Sequence, residues 1–387
     1  MKETIFDDNW KKEINSLIKL FNFIYINKKY INNKNKRKIK IKVYNQNFFI
    51  RTAIRHNFVV NVQNFMILEK KSLQQKIKYL SDLEVKKLMA ITGYNCLISE
   101  VLQENKIPVI IYKGIILSLL TNRKFKDRQC NDIDILVNEI DVKKTVKILE
   151  KIGFTIKYGF FKNESNSLIE KYYLFGNNAL TLSKKISSFE INIDLHWKII
   201  TTSPNIISFE ELWNSRKIIE LNGVKINTLN YYYTYLTCCY NSSKNKWNNI
   251  SNLLDIALLK GELNKDQITS LDSNLVVKNT NIVVDSLLND EIYKYQKGSK
   301  KVEEILILSK NSQIKHSKGT NKKKKTSFWE KFSLAKQRMG MCETYEDKLR
   351  VLVTVFFPVS IFISKKNTII ANPLFIVKNI FAKLLLD

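Results

Sequence analysis

The stretch from Ile107 to Val137 restricts what this chain can fold into more than any other part of it. An apolar segment, Pro108-Val109-Ile110-Ile111-Tyr112, ends at Lys113-Gly114. A short apolar piece with helical character follows, Ile115-Ile116-Leu117-Ser118-Leu119-Leu120, then Arg128, then Asn131-Asp132-Ile133-Asp134-Ile135-Leu136-Val137. The last piece alternates. Successive strand side chains face opposite ways, so Ile133, Ile135 and Val137 share one face and Asp132 and Asp134 the other. Two carboxylates one strand repeat apart lie roughly 6.5–7 Å apart along the backbone. Their oxygens can converge on one hard divalent cation or on a pair. Carboxylates inside so apolar a strand are costly to bury, and a cation removes that cost. Mg²⁺ commonly combines a few carboxylates with substrate phosphates. The preceding turn suits the same chemistry: Gly114 allows close backbone approach, a helix N-terminus offers N–H groups to an anion, and Lys113 adds a point charge.

An Asp-x-Asp pair also occurs on solvated strand edges, and Lys-Gly also forms ordinary strand-to-helix turns. A two-ion site needs a third carboxylate. The best candidate is in Phe189-Glu190-Ile191-Asn192-Ile193-Asp194-Leu195-His196-Trp197. Here Ile191, Ile193, Leu195 and Trp197 share one face, and Glu190, Asn192, Asp194 and His196 the other. The chain has three histidines, His56, His196 and His316. One of them beside Asp194 is expected to orient that carboxylate from behind, without ligating an ion directly.

On these residues the chain resembles the nucleotidyltransferase superfamily that has the DNA polymerase β catalytic fold. It is most similar to a bacterial group with a Lys-Gly turn, an Arg ahead of Asp-Ile-Asp, and a later acidic-Leu-His-Trp strand. Those motifs stand here as Lys113-Gly114, Arg128, Asp132-Ile133-Asp134 and Asp194-Leu195-His196-Trp197, and the resemblance covers about Leu80 to Asp255. It implies an α+β fold, a small mixed sheet with flanking helices, to which helical N- and C-terminal regions are added. It also implies Mg²⁺, two ions, held by Asp132, Asp134 and Asp194. The implied reaction moves a nucleoside monophosphate from an NTP to an acceptor: a small molecule, peptide, protein or RNA. Lys113, Gly114 and Arg128 are the implied nucleotide-binding residues, with Lys244 as a further triphosphate contact.

The chain departs from the pattern in two places. Ile115 follows Gly114 where the superfamily has a second Gly or a Ser. The group's His-Gly-x-Lys-His-x-Trp helix reads Asn241-Ser242-Ser243-Lys244-Asn245-Lys246-Trp247, with Asp255 beyond it. The loss of both histidines motivates an alternative: a catalytically impaired protein of this fold that binds a nucleotide or a partner.

A second alternative is a basic protein that binds nucleic acid or a membrane surface. The net charge is +28, which suits anionic partners. Only 8 of the 64 basic residues are arginine, however. Arginine is the usual bidentate reader of phosphates and bases, so the lysine excess reflects composition and carries no binding motif. The five cysteines, Cys96, Cys130, Cys238, Cys239 and Cys342, have no zinc spacing and form no even disulfide framework. The polar, acidic start Met1–Trp10 is not a signal peptide, and a cytoplasmic location is the default. The apolar run Val351–Ser364 contains Pro358 and falls short of the roughly 20 residues a transmembrane helix needs. The tail Pro373–Leu386 is amphipathic, and core packing is its expected role, ahead of peripheral membrane contact.

The expected organisation is a helical N-terminal region over 1–75, a catalytic core over 76–205, a helical region over 206–300 that completes the site, a basic linker over 301–326 and a C-terminal helical segment over 327–387. Within it we expect a long helix over Ser72–Asn105, strands at 108–112, 132–137, 154–158, near 170–175 and at 189–197, and a helical pattern from Phe209 onward.

Overall fold

The structure is a computed structural model. It describes residues 2–30, 38–158, 173–174, 177–187, 189–199, 207–288 and 300–319, with single positions between 332 and 355. Nine strands are present among these residues: β1 (Ile39–Lys40), β2 (Met66–Ile67), β3 (Val109–Tyr112), β4 (Asp132–Val137), β5 (Thr155–Tyr158), β6 (Ala179–Ile186), β7 (Phe189–His196), β8 (Lys217–Leu221) and β9 (Val224–Thr228). β3, β4, β7, β6 and β5 form a mixed five-stranded sheet in that order. With the many helices this gives the α+β class expected from the sequence.

The chain divides into two compact units. The first comprises Met1–Asp134, Lys185–Ile191 and Leu212–Lys322. It opens with the helix Lys2–Tyr30, whose Trp10, Ile14, Leu17, Ile18 and Phe21 recur at helical spacing and are all buried. The long helix runs Lys71–Glu104, within a residue of the expected bounds. Leu253, Leu254, Ile256, Leu258 and Leu259 are buried on the helix Ile250–Lys260. The cysteines at 96, 130, 238 and 239 are free and buried, as core residues.

The second unit comprises Ile135–Lys184, Asn192–Glu211 and Lys323–Asp387. In it β5 pairs antiparallel with β6, Thr155 opposite Ser183 and Ile156 opposite Leu182, with a shift of register before Tyr158. The helix Val142–Lys151 buries Val142, Val146, Ile148 and Leu149, an apolar stripe at helical period.

Three expectations differ from the structure. Tyr173 and Leu174 are helical, not part of the strand expected near 170–175; the strand is β6, whose only buried apolar residues are Leu180 and Leu182. The pattern after Phe209 is not helical throughout, because β8 and β9 form a hairpin with Leu221 opposite Val224. Its turn is Asn222-Gly223, with φ of 52° and 81°. Two successive left-handed residues make the two-residue turn that matches strand twist, and Asn-Gly is its strongest sequence signal. The expected linker 301–326 is helical through Lys318 and is not a linker there. Its polar residues Gln313 and Ser317 are buried and bonded: Gln313 Nε2 donates to the Trp247 carbonyl at 3.3 Å and Ser317 Oγ to the Gln313 carbonyl at 3.0 Å. The Ile250 N–H donates to His56 Nδ1 at 3.2 Å, which leaves the proton on Nε2, 2.9 Å from Ser317 Oγ. Lys322–Lys325, the apolar run beyond Val355 and the tail Pro373–Leu386 lie outside the described residues.

One buried acid gives this fold a pH signature. Glu13 is fully buried and accepts the N–H groups of Tyr44, at 2.9 Å, and Asn45. Burial pushes its carboxyl up to about 7, against the pull of those two N–H groups. The folded chain therefore holds a proton that the unfolded chain releases at ordinary carboxylate pH. Stability from this group is present at low pH and is lost as pH rises through about 7. Glu13→Gln keeps an acceptor oxygen and has no charge to bury. Chemical denaturation from pH 5 to 8 should show a flatter profile for Glu13→Gln and greater stability than wild type at pH 8.

Candidate active site

The Lys113-Gly114 turn sits between β3 and the helix Gly114–Leu120. Lys113 has φ 60° and ψ −148°, a backbone conformation that an L-residue adopts only under constraint. Gly114 follows at φ 46°, and a Cβ there would stand 3.4 Å from the Asp132 carbonyl and 3.8 Å from Cys130 Sγ. Those are ordinary van der Waals contacts, so it is the left-handed φ of this turn, and not lack of space, that favours glycine here.

In β4 Asp132 is half-buried and Asp134 is buried, and every residue from Ile133 to Val137 is buried with it. Lys113 Nζ lies 2.8 Å from Asp134 Oδ1, with 19% and 8% of the two side chains exposed. Lys113 also lies over the Tyr112 ring, 4.8 Å from its centroid. Burial works to strip the Lys113 proton, but the pull of Asp134, Tyr112 and Asp132 outweighs it and holds the ammonium above its usual range.

Arg128 faces elsewhere. Its Nε donates to Asp255 Oδ2 at 2.8 Å and its Nη1 to the Gly114 carbonyl at 2.9 Å. Arg123 Nη2 holds the other Asp255 oxygen, and Arg123 Nε donates to Thr121 Oγ1 at 2.8 Å. Arg123, Arg128 and Asp255 are all buried. This triad ties the helix Ile250–Lys260 to the Lys-Gly turn, and the sequence reading of Arg128 did not include it. A buried Asp in Leu253-Leu254-Asp255-Ile256-Ala257 was the available signal, since a charge in an apolar helix needs a partner. Burial pushes the Cys130 and Cys238 thiols up to about 12, so neither offers a thiolate nucleophile.

β7 alternates as expected: Ile191, Ile193 and Leu195 are buried, and Asn192 and Asp194 are half-buried. Thr181 Oγ1 donates to Asp194 Oδ1 at 2.7 Å, which fixes the carboxylate rotamer. His196 is buried. Each unit thus contributes ligand types of its own: Asp132 and Asp134 on β4, and Asp194 with His196 one strand repeat further along β7. Carboxylates and an imidazole are donors that suit a divalent ion, with the oxygens favouring a hard one.

Lys244 closes the helix Tyr231–Lys244 and is exposed. Just beyond it Lys246 and Trp247 both have positive φ, and the Trp247 indole N–H donates to Thr280 Oγ1 at 3.0 Å. Asn245 Nδ2 donates to the Asn241 carbonyl at 2.9 Å, so this asparagine serves the helix end. A separate cleft of about 440 Å³ is lined by Lys38, Gln63, Met66, Leu68, Lys71 and Lys78 among others, and contains none of the predicted site residues.

No helix among the described residues is long and apolar enough to cross a membrane. No curated protein matches the chain. Among solved structures it is similar to the antibiotic-resistance factor ANT(2'')-Ia in solution (11% identity, 51% of this chain and 96% of that one, TM-score 0.35). It is also similar to a nucleotidyltransferase-like antigen of Paracoccidioides brasiliensis (11% identity, 56% and 92%, TM-score 0.35). A family model described as uncharacterised nucleotidyltransferase matches residues 61–278. That span is more than half of the chain and includes every residue of the site above, so the chain belongs to this nucleotidyltransferase family.

Proposed function

We propose that the chain transfers a nucleoside monophosphate from an NTP to an acceptor in a Mg²⁺-dependent reaction. The observation that carries the reading is the nucleotidyltransferase family match over residues 61–278, a span that holds the Asp132-Ile133-Asp134 strand and Asp194 on β7. In this reading Asp132, Asp134 and Asp194 hold two Mg²⁺ ions, and His196 orients Asp194. When bound, the ions supply electrostatic stabilisation to the attacking and leaving oxygens of the transferred phosphoryl group. The Gly114 backbone and Lys113 position the phosphates, and Lys244 adds a contact to the triphosphate. Arg128 acts through the Gly114 carbonyl it binds, keeping the turn in place. Asp194, held by Thr181, receives the proton of the acceptor hydroxyl. The protein works in the cytoplasm on a small molecule, peptide, protein or RNA acceptor.

The test is a melting shift. A ligand that binds only the folded chain raises stability by mass action, about 2.7 kcal/mol at a hundred times its Kd. Mg²⁺ with a non-hydrolysable NTP should raise the melting temperature of wild type by several degrees. Asp194→Asn keeps the shape, removes the charge and should lose most of that shift. An equal shift in both proteins would remove Asp194 from the site.

A further inference from the structure

We propose that Lys113 and a divalent ion compete for Asp134, so that binding one cation releases the other and couples metal binding to nucleotide binding. The proposal rests on the metal-site reading above and adds a regulation to it. Its basis is geometric. Lys113 Nζ is 2.8 Å from Asp134 Oδ1, and the two side chains are largely shielded from water. An ion coordinated to that carboxylate would stand about 2.0–2.1 Å from its oxygen. A divalent charge and an ammonium on one oxygen, away from water, repel strongly.

Lys113 is built to yield. Its backbone is fixed by the φ 60° turn between β3 and the helix Gly114–Leu120, while its four-carbon stem is flexible. The head can therefore leave Asp134 without disturbing the strand or the helix. Arg128 has no such freedom, because Asp255 and the Gly114 carbonyl hold its guanidinium. A displaced Lys113 ammonium remains beside the turn, where the phosphates of a nucleotide are its natural anionic partner. Metal binding thus frees a phosphate ligand, and a bound nucleotide keeps Lys113 off Asp134. By linkage each ligand then strengthens the other equally.

The test uses Mn²⁺ alone, a non-hydrolysable NTP alone, and both together, by calorimetric titration of the full chain. Lys113→Met removes the charge and keeps the stem. Mn²⁺ alone should bind Lys113→Met about 10-fold more tightly than wild type, within the usual range of coupling between sites. The enhancement of Mn²⁺ affinity by the nucleotide, present in wild type, should shrink toward one in the variant. Lys113→Arg retains the charge and should keep wild-type affinity for Mn²⁺ alone. Equal Mn²⁺ affinity in wild type and Lys113→Met overturns the competition and reduces Lys113 to a phosphate contact. If wild type binds no Mn²⁺ even with nucleotide, the metal-site reading fails, and this proposal with it. Should Lys113→Met not fold, the Lys113 ammonium resonance of wild type decides. It should move on addition of Mg²⁺ as the bond to Asp134 breaks, and an unmoved resonance in a metal-bound protein overturns the proposal.

Discussion

Asp134→Ala is expected to lower nucleotidyl transfer by at least about 10³-fold, on the scale of losing a preorganised electrostatic contact to the transition state. The same change should destabilise the protein. Considered as a sequence, Asp132 and Asp134 are two like charges on one strand face, and removing one should relieve repulsion and stabilise the fold. The structure reverses the sign. Asp134 is the partner of Lys113 at 2.8 Å, and removing it leaves an ammonium in a largely buried place. Breaking a buried pair costs about 3–5 kcal/mol; with 19% of Lys113 exposed, partial rehydration should reduce this to about 1–3 kcal/mol. Urea denaturation at neutral pH checks the sign. A more stable Asp134→Ala would mean that repulsion with Asp132 outweighs the Lys113 pair.

The largest effect on stability should come from Asp255→Ala. The substitution leaves two buried guanidinium groups, Arg123 and Arg128, facing each other without their shared carboxylate. The loss should reach about 3–5 kcal/mol or more, enough to unfold the chain at moderate temperature if its total stability is ordinary. A companion variant separates stability from positioning. Replacing Arg123 and Arg128 by Met and Asp255 by Leu exchanges the triad for apolar groups of similar size, which often restores stability. It does not restore the bond from Arg128 to the Gly114 carbonyl. Thermal melts should therefore recover while nucleotide binding stays weak. Full recovery of nucleotide binding in the triple variant would show that the triad only holds the fold.

The strands that carry the site were legible because their patterns are local. β4 opens with, and β7 keeps throughout, an alternation of apolar and polar residues, and the alternation alone gives strand, face and candidate ligands. The Lys-Gly turn was legible for the same reason. The β8–β9 hairpin had its signal in Asn222-Gly223, but its strands alternate so weakly that Ile218 remains more than half exposed. The helix Lys300–Lys318 escaped because its buried face includes Ser309, Gln313 and Ser317, which read as solvated until their partners are known. The role of Arg128 escaped for a more general reason. Its partner Asp255 is 127 positions away, and no local period reports an ion pair at that separation. Four residues ahead of Asp-Ile-Asp, an arginine looks like a phosphate ligand; the fold turns it to a buried carboxylate.

Whether the acidic residues of β4 and β7 carry nucleoside monophosphate transfer is tested by supplying purified protein, Mg²⁺ and a cell extract with each NTP labelled either at the α- or at the γ-phosphate. The α-label should become attached to an acceptor while the γ-label does not, and both Asp132→Asn and Asp194→Asn should abolish the attachment. Transfer of γ-label, or undiminished α-label transfer by the two variants, would contradict that role.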